Sequence, residues 1–254
     1  DNEWGTNYAG HFMLEAKNRG YFINESFLNE WIVFQKSKSD NYVKNNGLYH
    51  QRTQAYRLYT LALAGKANLS AMNQLRVDVK MPKVARFLLA GAYGLIGQDQ
   101  VALDLIHNLD YAIQEYDDWY WTYGSSVRDR SIILMTLMQI GKSKDAFKLA
   151  VDLAEKMGSH NWYSTQTTAF GLMALSKFLG QQSKDDLVYD FDLDKDMMVS
   201  HSSAEALDLY NLDLSKKQNH KFNFTNKSKG DIYVQIVNSG KPLPQPTPSF
   251  SNEL

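Results

Sequence analysis

Residues His160–Gly180 read HNWYSTQTTAFGLMALSKFLG, a polar and aromatic start joined directly to an apolar segment. Two aromatic residues and a run of hydroxyls stand before the part that has helical periodicity. Ser164 and Thr165 are residue types that cap helix N-termini, because their side-chain oxygens accept hydrogen bonds from otherwise unpaired backbone amides. The sequence therefore predicts a capped helix over Ser164–Leu179.

The same periodicity predicts which side of this helix is buried. Apolar residues recur three or four positions apart, and they are Ala169, Leu172, Met173, Leu175 and Phe178. We expect them to form the stripe that faces the core. Trp162 and Tyr163 are expected to pack as a lid on the end of the helix.

Helical periodicity dominates the chain up to about Gly180. It predicts nine helices: Gly5–Asn18, Glu25–Lys38, Gln51–Ala64, Leu69–Val77, Pro82–Ile96, Val101–Leu109, Ser126–Ile140, Ser143–Lys156 and Ser164–Leu179. Ser143 is expected to cap its helix, and Pro82 suits a first helical position. Five glycines come after apolar helices, where a left-handed residue costs least as glycine: Gly20, Gly65, Gly97, Gly141 and Gly180.

Those glycines are spaced by 45, 32, 44 and 39 residues. Each follows a helix with the same template, which is a small residue, then apolar residues three or four positions apart, then the glycine. The chain therefore contains a degenerate repeat of about 40 residues, each repeat a helical hairpin. Stacked hairpins form either an open solenoid or a closed ring. Tetratricopeptide solenoids keep a stricter period of about 34 residues, and the loops before the template helices are aromatic and polar, as at one rim of a ring. We predict an α/α toroid.

Beyond about Lys184 the periodicity changes from helical to alternating. Strands are predicted within Leu187–Leu193, His220–Asn226 and Asp231–Asn238, in a small sheet of three to five strands. The sequence therefore predicts a mainly α chain with three parts: helical residues 1–184, β-rich residues 185–241, and a proline-rich linker or tail at 242–254. We expect further protein to come after such a linker.

Composition excludes several classes of function. The net charge is −1, which gives no support for binding nucleic acid or an anionic membrane. There are no cysteines, so disulfides and thiolate metal sites within the chain are excluded. No segment reaches the roughly 18 to 20 apolar residues of a membrane span. Because the chain opens abruptly on a helix, we expect a mature or excised fragment.

The strongest enzyme-like cluster contains Asp117 and Asp118 among aromatic residues, with Asp129 further along the chain. Toroidal glycoside hydrolases and polysaccharide lyases pair carboxylates with aromatic platforms at such a rim, where one carboxyl group protonates the leaving oxygen and the other activates water. The alternative is a polar loop packed on helix ends, with Asp129 paired to a neighbouring arginine. We favour the polar-loop interpretation, because the chain has no second cluster of carboxylates and aromatic residues comparable with this one.

Histidine spacing gives no support for a metal site. None of the six histidines lies at i,i+4 from another or in a two-histidine, one-carboxylate run. His11 lies on the apolar face of the first predicted helix and is interpreted as a core histidine rather than a ligand. The sequence predicts no catalytic, cofactor-binding or metal-binding residue.

Three motifs carry a resemblance to one family. Glu3–Tyr21, EWGTNYAGHFMLEAKNRGY, is similar to the WGT-x-YAGHFLLEA-x-x-x-GY helix of the thioester domain of bacterial α2-macroglobulins. Ser164–Lys177, STQTTAFGLMALSK, resembles the STQTTA-x-x-LLAL-x-K helix near the end of that domain. Ile232–Pro242, IYVQIVNSGKP, resembles the LYV-x-LV-x-SG-x-P strand of the next domain, which is a β domain.

The resemblance implies both a fold and a function. The helical part would belong to an α/α toroid of twelve helices, and the β part to the CUB-like domain that the toroid interrupts. Members of the family are protease traps: a protease cuts a bait region, the molecule collapses around it, and many members acylate the protease through an internal thioester. The expected partners are target proteases and neighbouring macroglobulin-type β domains, at the cell envelope or in the periplasm.

The sequence departs from the family where the thioester is concerned. That bond joins a cysteine to a glutamine side chain within a Cys-x-Glu-Gln motif, and this chain has no cysteine. The motif would fall upstream of Asp1, so either the parent carries it there or the parent never had it. We expect a non-catalytic fragment of a protease inhibitor, with a toroidal hydrolase and a helical-repeat interaction module as alternatives. Apolar helix faces left without neighbours would favour self-association.

Overall fold

A computed structural model describes residues 2–43, 48–117, 122–159, 161–182, 187–194, 197–203, 208–211, 220–229 and 232–237. The chain divides into two compact units, one containing the helices and one containing the strands. The proline-rich tail predicted at 242–254 lies outside the described residues. The positions of the helices and strands determine which side chains contact one another within each unit.

The helices within the described part of the chain are α1 Glu3–Asn18, α2 Glu25–Asp40, α3 Leu48–Leu63, α4 Leu69–Arg76, α5 Lys83–Leu95, α6 Asp99–Ile106, α7 Ser126–Gln139, α8 Ser143–Met157 and α9 Thr165–Gln182. Each coincides with one predicted helix, with boundaries that differ by a few residues. The mainly α class is therefore confirmed. The helices are 8 to 18 residues long, and over such lengths helical periodicity of apolar residues is a strong sequence signal.

The odd-numbered helices form an inner layer and the even-numbered helices an outer one. Consecutive odd helices pack side by side from α1 to α9, and each even helix packs on the odd helix that precedes it. Residues 126–137 of α7 are all buried, whereas α8 buries only four positions of one face. A helix that is buried on every side must lie inside the unit.

Side chains of the first and last helices also meet, which distinguishes a ring from a solenoid. The Tyr8 ring stacks on Phe170 with centroids 5.9 Å apart, and Glu15 forms an ion pair with Lys177. In an open solenoid each repeat contacts only its neighbours, so α1 and α9 would lie far apart. Contact between the first and last inner helices therefore supports the toroidal arrangement of hairpins.

Several predicted helix ends are confirmed and others are wrong. The Ser164 hydroxyl accepts a hydrogen bond from the Thr167 amide at 3.2 Å, as its capping role requires. Ser143 is instead the first residue of α8, and neither that helix nor the one after Pro82 has a side-chain cap. Gly180 does not end α9, which continues to Gln182. The other four predicted stop glycines have positive φ angles between 67° and 82°: Gly20, Gly65, Gly97 and Gly141.

The predicted buried face of α9 is correct for Phe178, which is buried, and wrong for Leu172, which is 59% exposed. Ala169, Met173 and Leu175 are half-buried, and the most buried face instead includes Gln166, Thr167, Phe170 and Ala174. The polar pair faces inward because α1 and α7 supply hydrogen-bonding partners that the periodicity of α9 alone cannot reveal. Trp162 is 76% exposed and does not form the expected lid.

The strand unit contains one antiparallel sheet with strand order β2-β1-β3, where β1 is Leu187–Leu193, β2 is Met197–Ser203 and β3 is Phe222–Asn226. The prediction for β1 is confirmed, and β3 lies within its predicted range. The predicted strand at Asp231–Asn238 is wrong for its described part, because residues 232–237 are not in a strand and pair with none of the described strands. Aromatic residues of β1 and β3 stack, with Tyr189 and Phe224 centroids 5.2 Å apart.

Candidate functional site

The N-terminal ends of α1, α7 and α9, with the loop before α7, converge on a buried polar cluster. We call it the rim cluster, and its members are Trp4, Tyr116, Arg128, Asp129 and Gln166. Ser125 starts α7 by accepting a hydrogen bond from the Arg128 amide at 3.2 Å, which fixes the first turn of that helix. Local capping therefore places Arg128 and Asp129 in the first, buried turn of α7.

Arg128 and Asp129 form a fully buried ion pair. The Arg128 side chain has no exposed surface, and its Nη2 and Nε atoms donate to Asp129 Oδ1 at 2.8 and 3.1 Å. The Tyr116 hydroxyl donates to the other carboxylate oxygen at 2.6 Å. Burial lowers the pKa of Arg128, but the charge and hydrogen bonds of Asp129, together with the nearby Tyr116 and Tyr56, outweigh it and raise the pKa, so the guanidinium stays charged.

The same environment acts on Tyr116. Burial and then the neighbouring Asp129 charge raise the pKa of Tyr116, so its hydroxyl keeps its proton across the physiological range. A tyrosine held neutral here donates to the carboxylate and accepts from Arg128 Nη2 at 3.1 Å. These three side chains therefore satisfy one another, which is how buried charged groups are stabilised.

Arg128 also joins the two helices that carry the sequence motifs. Its Nη1 atom donates to Gln166 Oε1 at 3.3 Å, and the same oxygen accepts from Trp4 Nε1 at 3.0 Å. The guanidinium lies 4.5 Å from the Trp4 ring centroid, within the range of a cation–π interaction. The first and last helices are thus connected through one arginine of α7.

The loop before α7 is shaped around this arginine. The Thr122 carbonyl accepts from Arg128 Nη1 at 3.2 Å, and a Cβ atom on Gly124 would meet the guanidinium carbon at 2.1 Å. Only glycine allows the backbone to pass so close. At the N-terminal end of α9, the Ser164 hydroxyl donates to the Tyr123 carbonyl at 3.1 Å. The loop is therefore fixed to both α7 and α9.

The two described carboxylates of the predicted hydrolase site, Asp117 and Asp129, are not arranged for that chemistry. Asp129 is buried in its ion pair, and Asp117 is exposed and contributes a backbone bridge to Ser125. Asp118 lies outside the described residues. General acid–base hydrolysis of a glycoside needs two carboxyl groups facing one substrate, and Asp129 faces an arginine and a tyrosine instead. The interpretation of Asp129 as an ion-paired structural residue agrees with its contacts.

A second acidic residue of the same loop is also held by cations. Glu115 Oε1 accepts from Arg130 at 2.7 Å and from Lys156 at 3.0 Å, and its other oxygen accepts from the Ser126 hydroxyl. The hydrogen bond from Arg130 is the largest cause that lowers the pKa of Glu115 to about 2. Glu115 is therefore a fixed anion that ties the loop to α7 and α8, not a proton donor.

Histidines and carboxylates do not converge on a metal-binding arrangement. Within the described ranges, no three such side chains are grouped so that they could hold a metal ion. His11 is 2% exposed, and its Nδ1 lies 3.0 Å from the Tyr56 hydroxyl, which fits the predicted core role. In those same ranges, no helix is long and apolar enough to cross a membrane.

Comparison with known proteins gives a consistent fold. No protein-family model and no curated protein sequence matches the chain. Among solved structures, Escherichia coli α2-macroglobulin activated by porcine elastase matches with a TM-score of 0.60 and 16% identity over 89% of this chain. Salmonella α2-macroglobulin reacted with methylamine matches with a TM-score of 0.61 and 18% identity over the same share. The chain has the fold of part of a bacterial α2-macroglobulin.

The matched region is a small part of those proteins. The chain spans 20% of the length of the elastase-activated structure and 14% of the methylamine-treated one. It spans 34% of native Escherichia coli α2-macroglobulin from domain MG7 to the C-terminus, with a TM-score of 0.59 and 18% identity. The shared fold therefore covers one region of much larger molecules.

The sequence predicts the motif helices but not how they are joined. The sequence indicates only that Asp129 could pair with a neighbouring arginine. It gives no prediction that Trp4 and Gln166 meet. The available signal is that both motifs place a large polar-edged side chain at the start of a helix. Since Trp and Gln are rarely buried without a partner, the two could have been matched with each other.

Proposed function

We propose that this chain is a non-catalytic part of a bacterial α2-macroglobulin-like protease trap that works at the cell envelope. The single observation that supports this proposal most is the match of 89% of the chain to α2-macroglobulin structures. The low identity of those matches limits them to fold, so the function also draws on the three sequence motifs. The larger protein of which we propose this chain is a part, its parent, would act as a protease inhibitor and not as an enzyme.

The rim cluster supports a structural role for the motif residues. Trp4 and Gln166 come from the two helical motifs and share one buried hydrogen bond, so the motifs describe how the ring is held together. Buried polar networks in which every member has a partner contribute rigidity and a unique arrangement. A trap needs such a rigid domain if movement of neighbouring domains is to carry it as one body.

We assign three parts within that parent. Residues 1–184 would be the thioester-type helical domain, residues 185–241 part of the CUB-like β domain, and residues 242–254 a proline-rich linker or tail. The helical domain lacks its thioester motif here, because the chain has no cysteine. We propose that neighbouring macroglobulin-type β domains and target proteases are the partners of the parent.

Apolar surface on the ring supports a further contact. Phe12 on α1 and Leu172 on α9 are 68% and 59% exposed. Large apolar side chains exposed on neighbouring helices are typical of surfaces that another element covers. We propose that the isolated chain self-associates weakly through this surface.

The test of the trap uses the whole protein in which we propose that this chain lies. It is mixed with elastase or trypsin, and cleavage of a large protein substrate is compared with cleavage of a small chromogenic peptide. A cage around the protease excludes macromolecules but admits peptides, so digestion of the protein should fall while peptide hydrolysis persists. Unchanged digestion of the large substrate would contradict the proposal.

The same protein allows the thioester to be tested separately. Methylamine is a small amine nucleophile, and its covalent addition to the protein would be detected by intact-mass measurement. Addition at one site shows that the parent carries the thioester upstream of this chain. A parent with trapping activity but no addition belongs to the alternative in which the motif is absent.

A further inference from the structure

Side chains bridge the contact between α1 and α9 from the N-terminal to the C-terminal part of both helices. Tyr8 and His11 of α1 contact Phe170 of α9, with ring centroids 5.9 and 5.8 Å apart. Nearer the C-terminal ends, Lys177 of α9 forms an ion pair with Glu15 of α1. We call this contact the α1–α9 seam. On α1, its contacts are made by Tyr8, His11 and Glu15, which lie one helical turn apart.

His11 occupies the centre of the seam and is enclosed. It is 2% exposed, with the Tyr56 hydroxyl 3.0 Å from Nδ1 and Glu15 Oε1 3.5 Å from Nε2. The tautomer that suits both neighbours carries its proton on Nε2, so that Nδ1 accepts from Tyr56. The Tyr59 ring lies against the other side of the imidazole, with centroids 5.6 Å apart. The site therefore fits a neutral imidazole.

We propose that the α1–α9 seam is an acid-sensitive joint that opens as His11 takes up a proton. This inference is independent of the proposed protease-trap function, since it rests on the seam alone.

The charges around His11 explain why protonation would oppose closure. Glu15 is the one carboxylate that contacts the imidazole among the described residues, and it already pairs with Lys177 and with Arg19 Nη1 at 3.1 Å. A protonated His11 would be a third cation sharing that single carboxylate. The two tyrosines of α3 that face the ring cannot compensate, because burial raises the pKa of both Tyr56 and Tyr59 and keeps them neutral.

Hydrogen bonding adds to this cost. A protonated imidazole donates from both nitrogens, so the Tyr56 hydroxyl would have to change from donor to acceptor at Nδ1. Its own proton would then need another partner inside a fully buried site. Burial lowers the pKa of His11 for the same reason, which favours the neutral form while the seam is closed. Opening gives the imidazole water and restores its ordinary pKa.

The size of the effect comes from proton linkage. A histidine with an ordinary pKa of about 6.5 in the open form, and protonated only there, increases the open-to-closed ratio about tenfold between pH 7.5 and pH 5.5. The change begins below about pH 7 and involves one proton. Between pH 7.5 and pH 9 the ratio should stay nearly constant.

The experiment uses the absence of native cysteines in the whole chain. Phe12→Cys and Leu172→Cys place spin labels on exposed positions of α1 and α9, and pulsed electron paramagnetic resonance measures their separation at pH 7.5 and 5.5. A second labelled pair, Gln139→Cys and Leu179→Cys, reports the neighbouring contact between α7 and α9. We expect a longer-distance population at pH 5.5 in the first pair and none in the second.

Two histidine variants identify the group that responds. His11→Gln keeps a hydrogen-bonding side chain but takes up no proton, so the longer-distance population should disappear at pH 5.5. His107→Gln changes an exposed histidine of the α6 end and should leave the response intact. Far-ultraviolet circular dichroism checks that each labelled variant is folded, and His11→Asn replaces His11→Gln if the latter is not.

Three results would overturn the proposal. The first is an unchanged seam distance between pH 7.5 and 5.5 in a folded protein. The second is a response that survives in a folded neutral variant of His11. The third is a response that begins only below pH 4.5, in the range where carboxylates titrate.

Discussion

Trp4 Nε1 donates a hydrogen bond to Gln166 Oε1 over 3.0 Å, although the two residues are 162 positions apart in the chain. Each residue belongs to one of the two helical motifs, so this bond joins the two motifs in the folded chain. Arg128 uses the same oxygen and lies over the Trp4 ring, which makes Gln166 the acceptor for two buried donors. The ring is closed at this end by one amide.

Replacing that amide tests its importance. Gln166→Ala leaves Trp4 and one Arg128 donor without an acceptor inside the unit, and we expect a loss of about 2–4 kcal/mol in the free energy of unfolding. Urea unfolding monitored by circular dichroism measures the change. Leu172→Ala on the same helix is the matched control, since its side chain is 59% exposed and should alter stability by at most about 0.5 kcal/mol.

Asp129 offers a test that also separates the structural role from hydrolysis. Asp129→Asn removes the charge that compensates buried Arg128, and loss of one partner of a buried ion pair costs about 3–5 kcal/mol. The exposed Asp117→Asn variant should be nearly as stable as the parent chain. Thermal and urea unfolding measure both variants. Sugar release from polysaccharides by the unaltered chain that both substitutions abolish would favour the hydrolase instead.

The periodicity of the sequence predicts the helices because burial in a hairpin repeat is local. It fails where a distant partner decides the outcome. Gln166 and Thr167 face the core since Trp4, Arg128 and Ser125 satisfy them, and no pattern within α9 contains that information. Strand β2 escapes prediction for a related reason.

The sequence of β2, MMVSHSS, has neither alternation nor β-branched enrichment, and pairing with β1 supplies its conformation. Residues 232–237 show the opposite case: their strand propensity is strong, but they pair with none of the strands that the structure describes. Strand propensity describes how well a residue fits a half-buried surface, so it cannot predict pairing by itself. The motif at Ile232 therefore carries the resemblance without predicting local structure.

Gly10, one of the three glycines in the first motif, is explained by a close approach of two helices. A Cβ atom on Gly10 would lie 2.0 Å from two ring carbons of Trp31 of α2, a largely buried side chain that donates to the Thr6 carbonyl at 2.9 Å. Gly10→Ala should therefore lower the free energy of unfolding by about 1–3 kcal/mol through overpacking.

Gly180 provides the matched comparison. A Cβ atom there meets nothing within 4 Å, and the residue lies inside α9. Gly180→Ala should be neutral or should stabilise the chain by up to about 1 kcal/mol, because alanine is the better helix former. Equal destabilisation by both substitutions, measured by urea unfolding, would show that the Trp31 contact is not responsible.

Self-association through the apolar surface of α1 and α9 can be tested without disturbing the core. Phe12→Ser and Leu172→Ser together remove two large exposed apolar groups. If this surface joins two copies, sedimentation velocity at increasing concentration should show dimers for the parent chain and fewer for the double variant. Val79→Ser is the control, since it is 82% exposed elsewhere and should leave any association unchanged.

Glu15 should make the chain sensitive to strong acid. Burial raises the pKa of Glu15, but hydrogen bonds from His11 and Lys177 and the charge of Lys177 outweigh this and lower it to about 2 while the α1–α9 seam is closed. A lowered carboxyl pKa contributes stability that is present above pH 4.5 and is lost as the pH falls through about 2, on the order of 3 kcal/mol in all. Glu15→Gln should remove this part of the acid dependence and leave Lys177 without its partner at neutral pH. The free energy of unfolding in urea, measured between pH 7 and pH 2.5, gives both slopes. If the free energy of unfolding fell equally with pH below 4.5 in the unaltered chain and in Glu15→Gln, the acid sensitivity would belong to other carboxylates.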